Sequence, residues 1–507
     1  MEYLVRGQFV LTMQERIGTD GIIKDGAVYV SGKNIVEVGR YRDLKTQYPT
    51  ATIIGSPRFW VMPGFVNAHQ HGRGLTTFQL GGRDEPLEVT RVKATRQARI
   101  PIYLDALYAA SRMIEAGVTT CLHYNSSRGP GQYKNDLRDR IKAYRGAGIR
   151  VSLGLDIRNR NHVVYGDEEF LATLPSPLKE KAREKLAQPR TADPENYFRL
   201  VSELDDEMRN DPEGRIKLFL TPAGPQWCTA DLLQAIRRTS EERHLGIQIH
   251  VLETKYQRAY FLRTYGKSAV EWLDELGFLS PQVSLAHGVW LSEHDIARVA
   301  RRGSAVVHNP SSNLRLKSGI APLAFLHRAG IPLALGLDSS TLNDDMDMLQ
   351  EMRLAANLQR SPGVSAATVP LKEIFRMATV SGSRILGWGE LVGTLESGKR
   401  ADMILLDSRT ITGPYLSIDH NPIDALLYRG RASAVDTVII DGELIYQGKR
   451  HRRVDSKSLL KQLRGSIQPP VVDDGESLEE ELLPHAIRYY QAWDDEILTP
   501  HHIVNSI

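Results

Sequence analysis

A chain of 507 residues, 41% hydrophobic and 25% charged, has the composition of a globular protein with a large core, which excludes disordered and fibrous classes. A net charge of +3 with acidic and basic residues interspersed offers no basic face for nucleic acid. Two cysteines, Cys121 and Cys228, cannot build a disulfide framework or a cysteine-rich zinc site, so any metal must be held by histidine and carboxylate.

The first residues, MEYLVRGQFVLTMQERIG, lack the charged start, apolar core and cleavage site of a signal peptide. No apolar run approaches the ~18 to 20 residues that span a bilayer. The expected location is the cytoplasm, with no membrane partner.

Residues 1–60 contain short alternating apolar segments, FVLTM and GAVYVSGKNIVEVG, punctuated by DG and SGK turns. The same texture returns after Gly393, in GTLESGKRADMILLD and VDTVIIDGELIYQGKR. Residues 1–60 and 392–450 are therefore expected to form one small β-sandwich domain. Between them, in 61–391, apolar runs alternate with helical stretches: FWVMPGFVNAH, then 117–124, 148–156, 215–224, 246–251, 282–287, 304–309 and 331–338, eight strands in all. Helices such as YLDALYAASRMIEAG, DLLQAIRRTSEERHLG, SAVEWLDELG and EHDIARVARRG precede strands, each with a closing glycine. Buried parallel strands alternating with helices predict a closed (β/α)₈ barrel of TIM type. Residues 157–214 exceed one crossover and predict extra helices near the barrel mouth, and 451–507 form an extension ending in a helix within LLPHAIRYYQAWDDEIL.

In such a barrel the active site lies at the C-terminal edge of the strands. His69 and His71, in PGFVNAHQHGRG, are i and i+2 and can face one cation from an extended segment. His250 near the end of GIQIHV, His287 ending QVSLAH and Asp338 ending IPLALGLD stand at the same level. Imidazoles with one carboxylate suit a divalent ion of zinc or ferrous type with an open position for water. Glu253, three residues after His250, is placed either to move protons between water and a substrate nitrogen or as a solvated loop residue.

The motifs PGFVNAHQH, HVLET, LAHGVWLSEHD, HNPSSNLRLKSGIAPL and GLDSS, in this order, resemble the amidohydrolase superfamily, and within it the branch of triazine hydrolases, S-adenosylhomocysteine deaminases and guanine deaminases. The resemblance implies that His69, His71, His250 and Asp338 bind one divalent ion, Zn²⁺ or alternatively Fe²⁺. It further implies that His287 contacts the water or the tetrahedral centre, that Glu253 shuttles the proton and that Asp338 also acts as base. Two-metal branches carry a carboxylated lysine at the end of strand four; Lys217 lies at the other end, so one metal is expected. The implied activity is hydrolytic removal of an amino or alkylamino group from a nitrogen heteroaromatic ring, water being activated by the cation. A cyclic-amide or halide-releasing hydrolase on the same site is the alternative, and a non-catalytic scaffold a further one; Glu253 favours deamination because a ring nitrogen needs its proton. The family also implies a homo-oligomer acting on a small heterocyclic substrate.

Candidate substrate contacts are Gln79, Gln226, Trp227, His308 and Asn313, and His123 could line the pocket. Gln226 and Trp227 stand where related nucleoside deaminases show a histidine-containing PH stretch, which argues against a nucleoside. An amide can read a ring and an indole can stack on it, while packing roles for Trp227 and His308 stay open. Cys121 and Cys228 read as small buried residues, and Asp344 and Asp345 as caps of the helix that follows.

Overall fold

The computed structural model describes residues 2–14, 21–93, 98–125, 131–186, 193–360, 368–469 and 477–494. Eight parallel strands form the central sheet: β1 (Phe65–Asn67), β2 (Val118–Tyr124), β3 (Arg150–Ile157), β4 (Ile216–Pro222), β5 (Gly246–Val251), β6 (Val283–His287), β7 (Ala305–His308) and β8 (Leu333–Leu335). Each pairs with the next in chain order. The ring closes through backbone bonds just past the strands: Ala68 N–H donates to Leu335 O at 2.9 Å and Asp338 N–H to His69 O at 2.8 Å. This is a (β/α)₈ barrel, and its closure brings the histidine pair beside Asp338.

The strands are buried on both sides, as a barrel wall covered by helices demands. Local signals end the helices where the barrel needs them to turn back. Helix Glu293–Arg302 starts at a capping box between Ser292 and Asp295 and stops at Gly303, whose φ of 70° only glycine adopts without cost. In DLLQAIRRTSEERHLG the left-handed closing residue is His244, φ 54°, and the expected glycine, Gly246, already lies in β5.

The apolar run FWVMPGFVNAH is two strands rather than one. Phe59–Pro63 belongs to a sheet outside the barrel, and the chain crosses at Pro63–Gly64 to begin β1. That outer sheet is mixed and nine-stranded, built from strands within 2–63 and from Met403–Asp407, Val435–Ile440, Glu443–Gln447 and Arg450–His451. It is tied to the N-terminal edge of the barrel by buried charges. Arg150, at the start of β3, bonds Asp402 at 3.0 Å and Asp441 at 2.6 Å, while Arg215 bonds the other Asp441 oxygen at 2.9 Å. Lys217, at the same end, donates to Gly387 O at 2.7 Å.

Between β3 and β4 helices Asp167–Ala172 and Ser176–Leu186 precede the crossover helix Pro194–Arg209. The extension contributes Ser456–Ser466 and Leu478–Gln491, the latter beginning four residues before the stretch read as helical, 482–498; residues 495–498 of that stretch lie outside the described ones. Among the described residues no helix is long and apolar enough to cross a membrane.

Candidate active site

The loop after β1 begins with a constraint on its backbone. Gly72 has φ 67°, and a Cβ there would fall 1.9 Å from the His123 ring, so only glycine lets the segment after His71 pass. The turn leaves His69 and His71 at the mouth of the barrel, where they meet side chains from β5, β6 and the segment after β8. The ligand-type atoms of His69, His71 and His250 lie within 4.8 Å of one another, as do those of His69, His287 and Asp338.

Hydrogen bonds at the far side of each ring decide what this cluster can do. His69 Nδ1 faces Gln248 Oε1 at 2.6 Å, His71 Nδ1 faces Tyr124 O at 3.1 Å and His250 Nδ1 faces Ala223 O at 2.8 Å. The Gln248 amide is oriented by its NH₂, which donates to Ala68 O at 3.1 Å and to Ser284 Oγ at 3.2 Å. All three partners are acceptors, so Nδ1 carries the proton and Nε2 presents a lone pair. Burial pushes the His69 imidazole down to about 3 and His250 well below its ordinary value; His287 is lowered too, by burial.

These lone pairs converge on a carboxylate. Asp338 Oδ1 lies 3.3 Å from His71 Nε2 and 3.7 Å from His69 Nε2. Burial acts to raise the Asp338 carboxyl, yet its closeness to His71 and the surrounding imidazoles acts the other way and lowers it well below the usual range. Ser312 Oγ donates to its other oxygen at 2.5 Å. Neutral imidazole nitrogens facing a carboxylate repel one another unless a cation sits between them, and buried His69 Nε2 has no hydrogen-bond partner. The donor set fits a zinc- or iron-type divalent ion.

Glu253 stands beside this cluster, 2% exposed, with Oε2 3.7 Å from His287 Nε2. Burial, then the charges of Asp338 and Glu88, push its carboxyl well above the ordinary value, which favours its protonated form. His287 Nε2 lies 3.9 Å from Asp338 Oδ2, while its Nδ1 meets Asn313 Oδ1 at 2.8 Å. Both His287 and Asp338 have left-handed backbones, φ 76° and 53°, an uncommon conformation held where the chain leaves a strand for its loop.

The short helix Pro310–Arg315 after β7 orients the site through consecutive side chains. Ser312 reaches Asp338 and Asn313 reaches His287, while Ser311 donates its N–H at 2.9 Å and its Oγ–H at 2.6 Å to the buried Glu351. Burial pushes the Glu351 carboxyl from 4.5 up to about 8. A raised carboxyl keeps its proton in the fold after the unfolded chain has lost it, so stability falls as pH rises from about 4.5 to about 8. Glu351→Gln keeps an acceptor for the N–H and a donor toward Oγ without titrating. Thermal unfolding between pH 5 and 8 is therefore expected to show a smaller loss of stability in the variant than in the parent; equal slopes would remove Glu351 from the account.

Of the substrate-contact candidates, Gln226 and Trp227 lie buried in the turn Pro225–Trp227, with both Gln226 amide atoms unpartnered. The Trp227 ring stacks 3.9 Å beneath the Arg91 guanidinium. His308 is buried with both nitrogens unpartnered. Asn313 serves His287. Gln79 is exposed and its amide oxygen takes the Thr76 N–H at 3.0 Å. His123 bonds Tyr144 on the helical side of β2, away from the barrel interior where Tyr124 packs. The cap of helix Met348–Leu358 is Asp347, accepting from Leu349 and Gln350, whereas Asp344 pairs with Arg315. Burial pushes both thiols, Cys121 and Cys228, up to about 12, which leaves them unreactive.

Two residues escaped the sequence reading. Gln248 is i−2 from His250 and so shares its face of β5, a signal the alternation carried. Glu88, from helix Leu87–Lys93, is 3% exposed; its Oε1 accepts from Tyr165 Oη at 3.0 Å and Thr254 Oγ1 at 2.5 Å, and its Oε2 has no partner. No local pattern announces it.

Comparison with known proteins settles the kinship. The amidohydrolase family profile matches residues 60–445. The chain belongs to the amidohydrolase family. It is 31% identical over 461 residues to a 5-methylthioadenosine/S-adenosylhomocysteine deaminase of Caldanaerobacter subterraneus subsp. tengcongensis, covering 90% of this chain and 95% of that protein. Among solved structures it is similar to a zinc-bound adenosine deaminase of Xanthomonas campestris, with TM-score 0.76 and 25% identity over 91% of this chain and 97% of the other. An atrazine chlorohydrolase variant of Arthrobacter aurescens, complexed with zinc and atraton, shares the fold at TM-score 0.77 and 21% identity over 91% and 99% of the two chains. This amidohydrolase thus has its motifs on the fold they imply.

Proposed function

We propose that this amidohydrolase is a metal-dependent aminohydrolase that replaces the amino group of a nitrogen heteroaromatic ring by hydroxyl, with a 6-aminopurine nucleoside as its first substrate class. The observation that carries the reading is the convergence of three imidazole lone pairs and the Asp338 carboxylate beside the buried Glu253, whose Oε2 lies 3.7 Å from His287 Nε2. His69, His71, His250 and Asp338 would hold one ion, zinc by preference and ferrous iron as the alternative. Such an ion, when bound, supplies a Lewis acid that lowers the pKa of water from 15.7 toward about 7.

The chain's own groups do the rest. Glu253 delivers its proton to the ring nitrogen next to the carbon under attack, drawing electron density from that carbon. Asp338, ionised and oriented by Ser312, accepts a proton from the attacking water. His287 presents Nε2 between the two carboxylates and contacts the incoming oxygen. The unpartnered Gln226 amide and Glu88 Oε2 are costly to bury alone and become satisfied by polar substrate atoms. The nucleoside choice follows the names of the relatives; it runs against the Gln226–Trp227 departure, and so is the part to test first. Metal-loaded protein is incubated with aminated purines, their nucleosides, pterins, triazines and cyclic amides, and the products are weighed by mass spectrometry. Exchange of amino for hydroxyl on a purine nucleoside is expected. Exchange only on another ring would reassign the substrate, and addition of water without loss of a group would overturn the reaction class.

A further inference from the structure

We propose that the C-terminal helix Leu478–Gln491 is a positioning element of the active site, holding Tyr165 so that its phenol fixes Glu88 beside the loop of Glu253. The inference rests on the proposed function, in which Glu88 meets the substrate. The helix lies outside residues 60–445, which the family profile matches.

Two successive tyrosines of the helix hold one residue. Tyr490 Oη accepts the backbone N–H of Tyr165 at 2.9 Å, and Tyr489 Oη donates to the Tyr165 carbonyl at 2.9 Å. Both backbone groups of Tyr165 are thus held by successive tyrosines, and the Tyr165 and Tyr490 rings meet edge to face at 5.6 Å. The Tyr165 phenol then donates to Glu88 Oε1 at 3.0 Å, a site shared with Thr254, the residue after Glu253. Glu88 Oε2 remains buried and free. Helix Leu87–Lys93, which carries Glu88, itself packs against the C-terminal helix.

A second grip acts just after Thr254. Asp494, three residues past the helix, accepts from Tyr256 Oη at 2.8 Å and pairs with Lys255. The helix and the residues just after it therefore brace two segments near the proton-carrying group, the Tyr165–Glu88 pair and the start of helix Lys255–Tyr265. A carboxylate held by two donors keeps its remaining oxygen in one place, which lowers the ordering cost of binding a substrate donor there.

The test uses the full-length, metal-loaded protein and a substrate the parent turns over. Tyr489→Phe/Tyr490→Phe removes both hydroxyls, including the Tyr489 contact with Glu169 at 3.3 Å, and preserves the rings. We expect KM to rise about tenfold, with kcat within about threefold and metal content unchanged; Tyr490→Phe alone moves KM in the same direction by less. In a Tyr165→Phe background the tenfold effect is expected to shrink below about twofold, because the relay to Glu88 is already cut. An unmoved KM with a lowered melting temperature, or a rise that simply adds to that of Tyr165→Phe, would show a packing helix and overturn the proposal. A parent that turns over no aminated ring fails the proposed function and this inference with it, whereas an active parent with unmoved variants fails this inference alone.

Discussion

Replacing Glu253 by glutamine is expected to lower kcat by about 10²-fold or more while leaving metal content unchanged. The amide fills the same volume in a site that is 2% exposed, and the backbone N–H of residue 253 still donates to Gln257 Oε1, at 2.9 Å in the parent. What disappears is the titrating proton. Burial raises the Glu253 carboxyl well above its ordinary value, with Asp338 and Glu88 adding to the effect, which suits the group to give up a proton and recover it from water. An amide does neither. Because Glu253 is absent from the two groups of converging ligand atoms, metal affinity has no reason to change. Steady-state kinetics with metal analysis of the same preparation checks both halves; unchanged turnover would remove Glu253 from the mechanism.

A larger loss is expected from His250→Ala and from Asp338→Ala, each of which should abolish both metal binding and turnover, the latter by about 10³-fold or more. Three neutral imidazoles and one carboxylate leave little redundancy: alanine at 250 removes a lone pair oriented by Ala223 O, and alanine at 338 removes the negative charge that balances the cation. Removing the carboxylate also strands the Ser312 hydroxyl that donates to it at 2.5 Å. Metal content per chain is the deciding measurement. A variant that keeps full occupancy would show that its residue is not a ligand.

The groups that converge were legible because they obey strand geometry. His69 and His71 are two apart, and His250, His287 and Asp338 each close an apolar run, so alternation and strand ends together placed them at one edge. The single strand read from FWVMPGFVNAH failed for a related reason. A run buried on both sides looks the same whether it lies in one sheet or crosses between two, and only the pairing of Phe59–Pro63 with strands from both chain ends separates it from β1. Gln79 could not be oriented from the sequence, because loop side chains carry no periodicity from which direction can be read; the structure turns its amide oxygen to the Thr76 N–H. Glu88 could not be found for a deeper reason: its partners Tyr165 and Thr254 lie 77 and 166 residues away, and a carboxylate in a helix of seven residues looks like any solvated one until the chain folds over it.

The measurement that bears most directly on the central claim is ammonia release from 6-aminopurine nucleosides by protein stripped of metal and titrated with zinc. Activity should be absent at the start, rise in proportion to added ion and level off at one ion per chain. Full turnover by the stripped protein, or no ammonia from the loaded one, would contradict the claim.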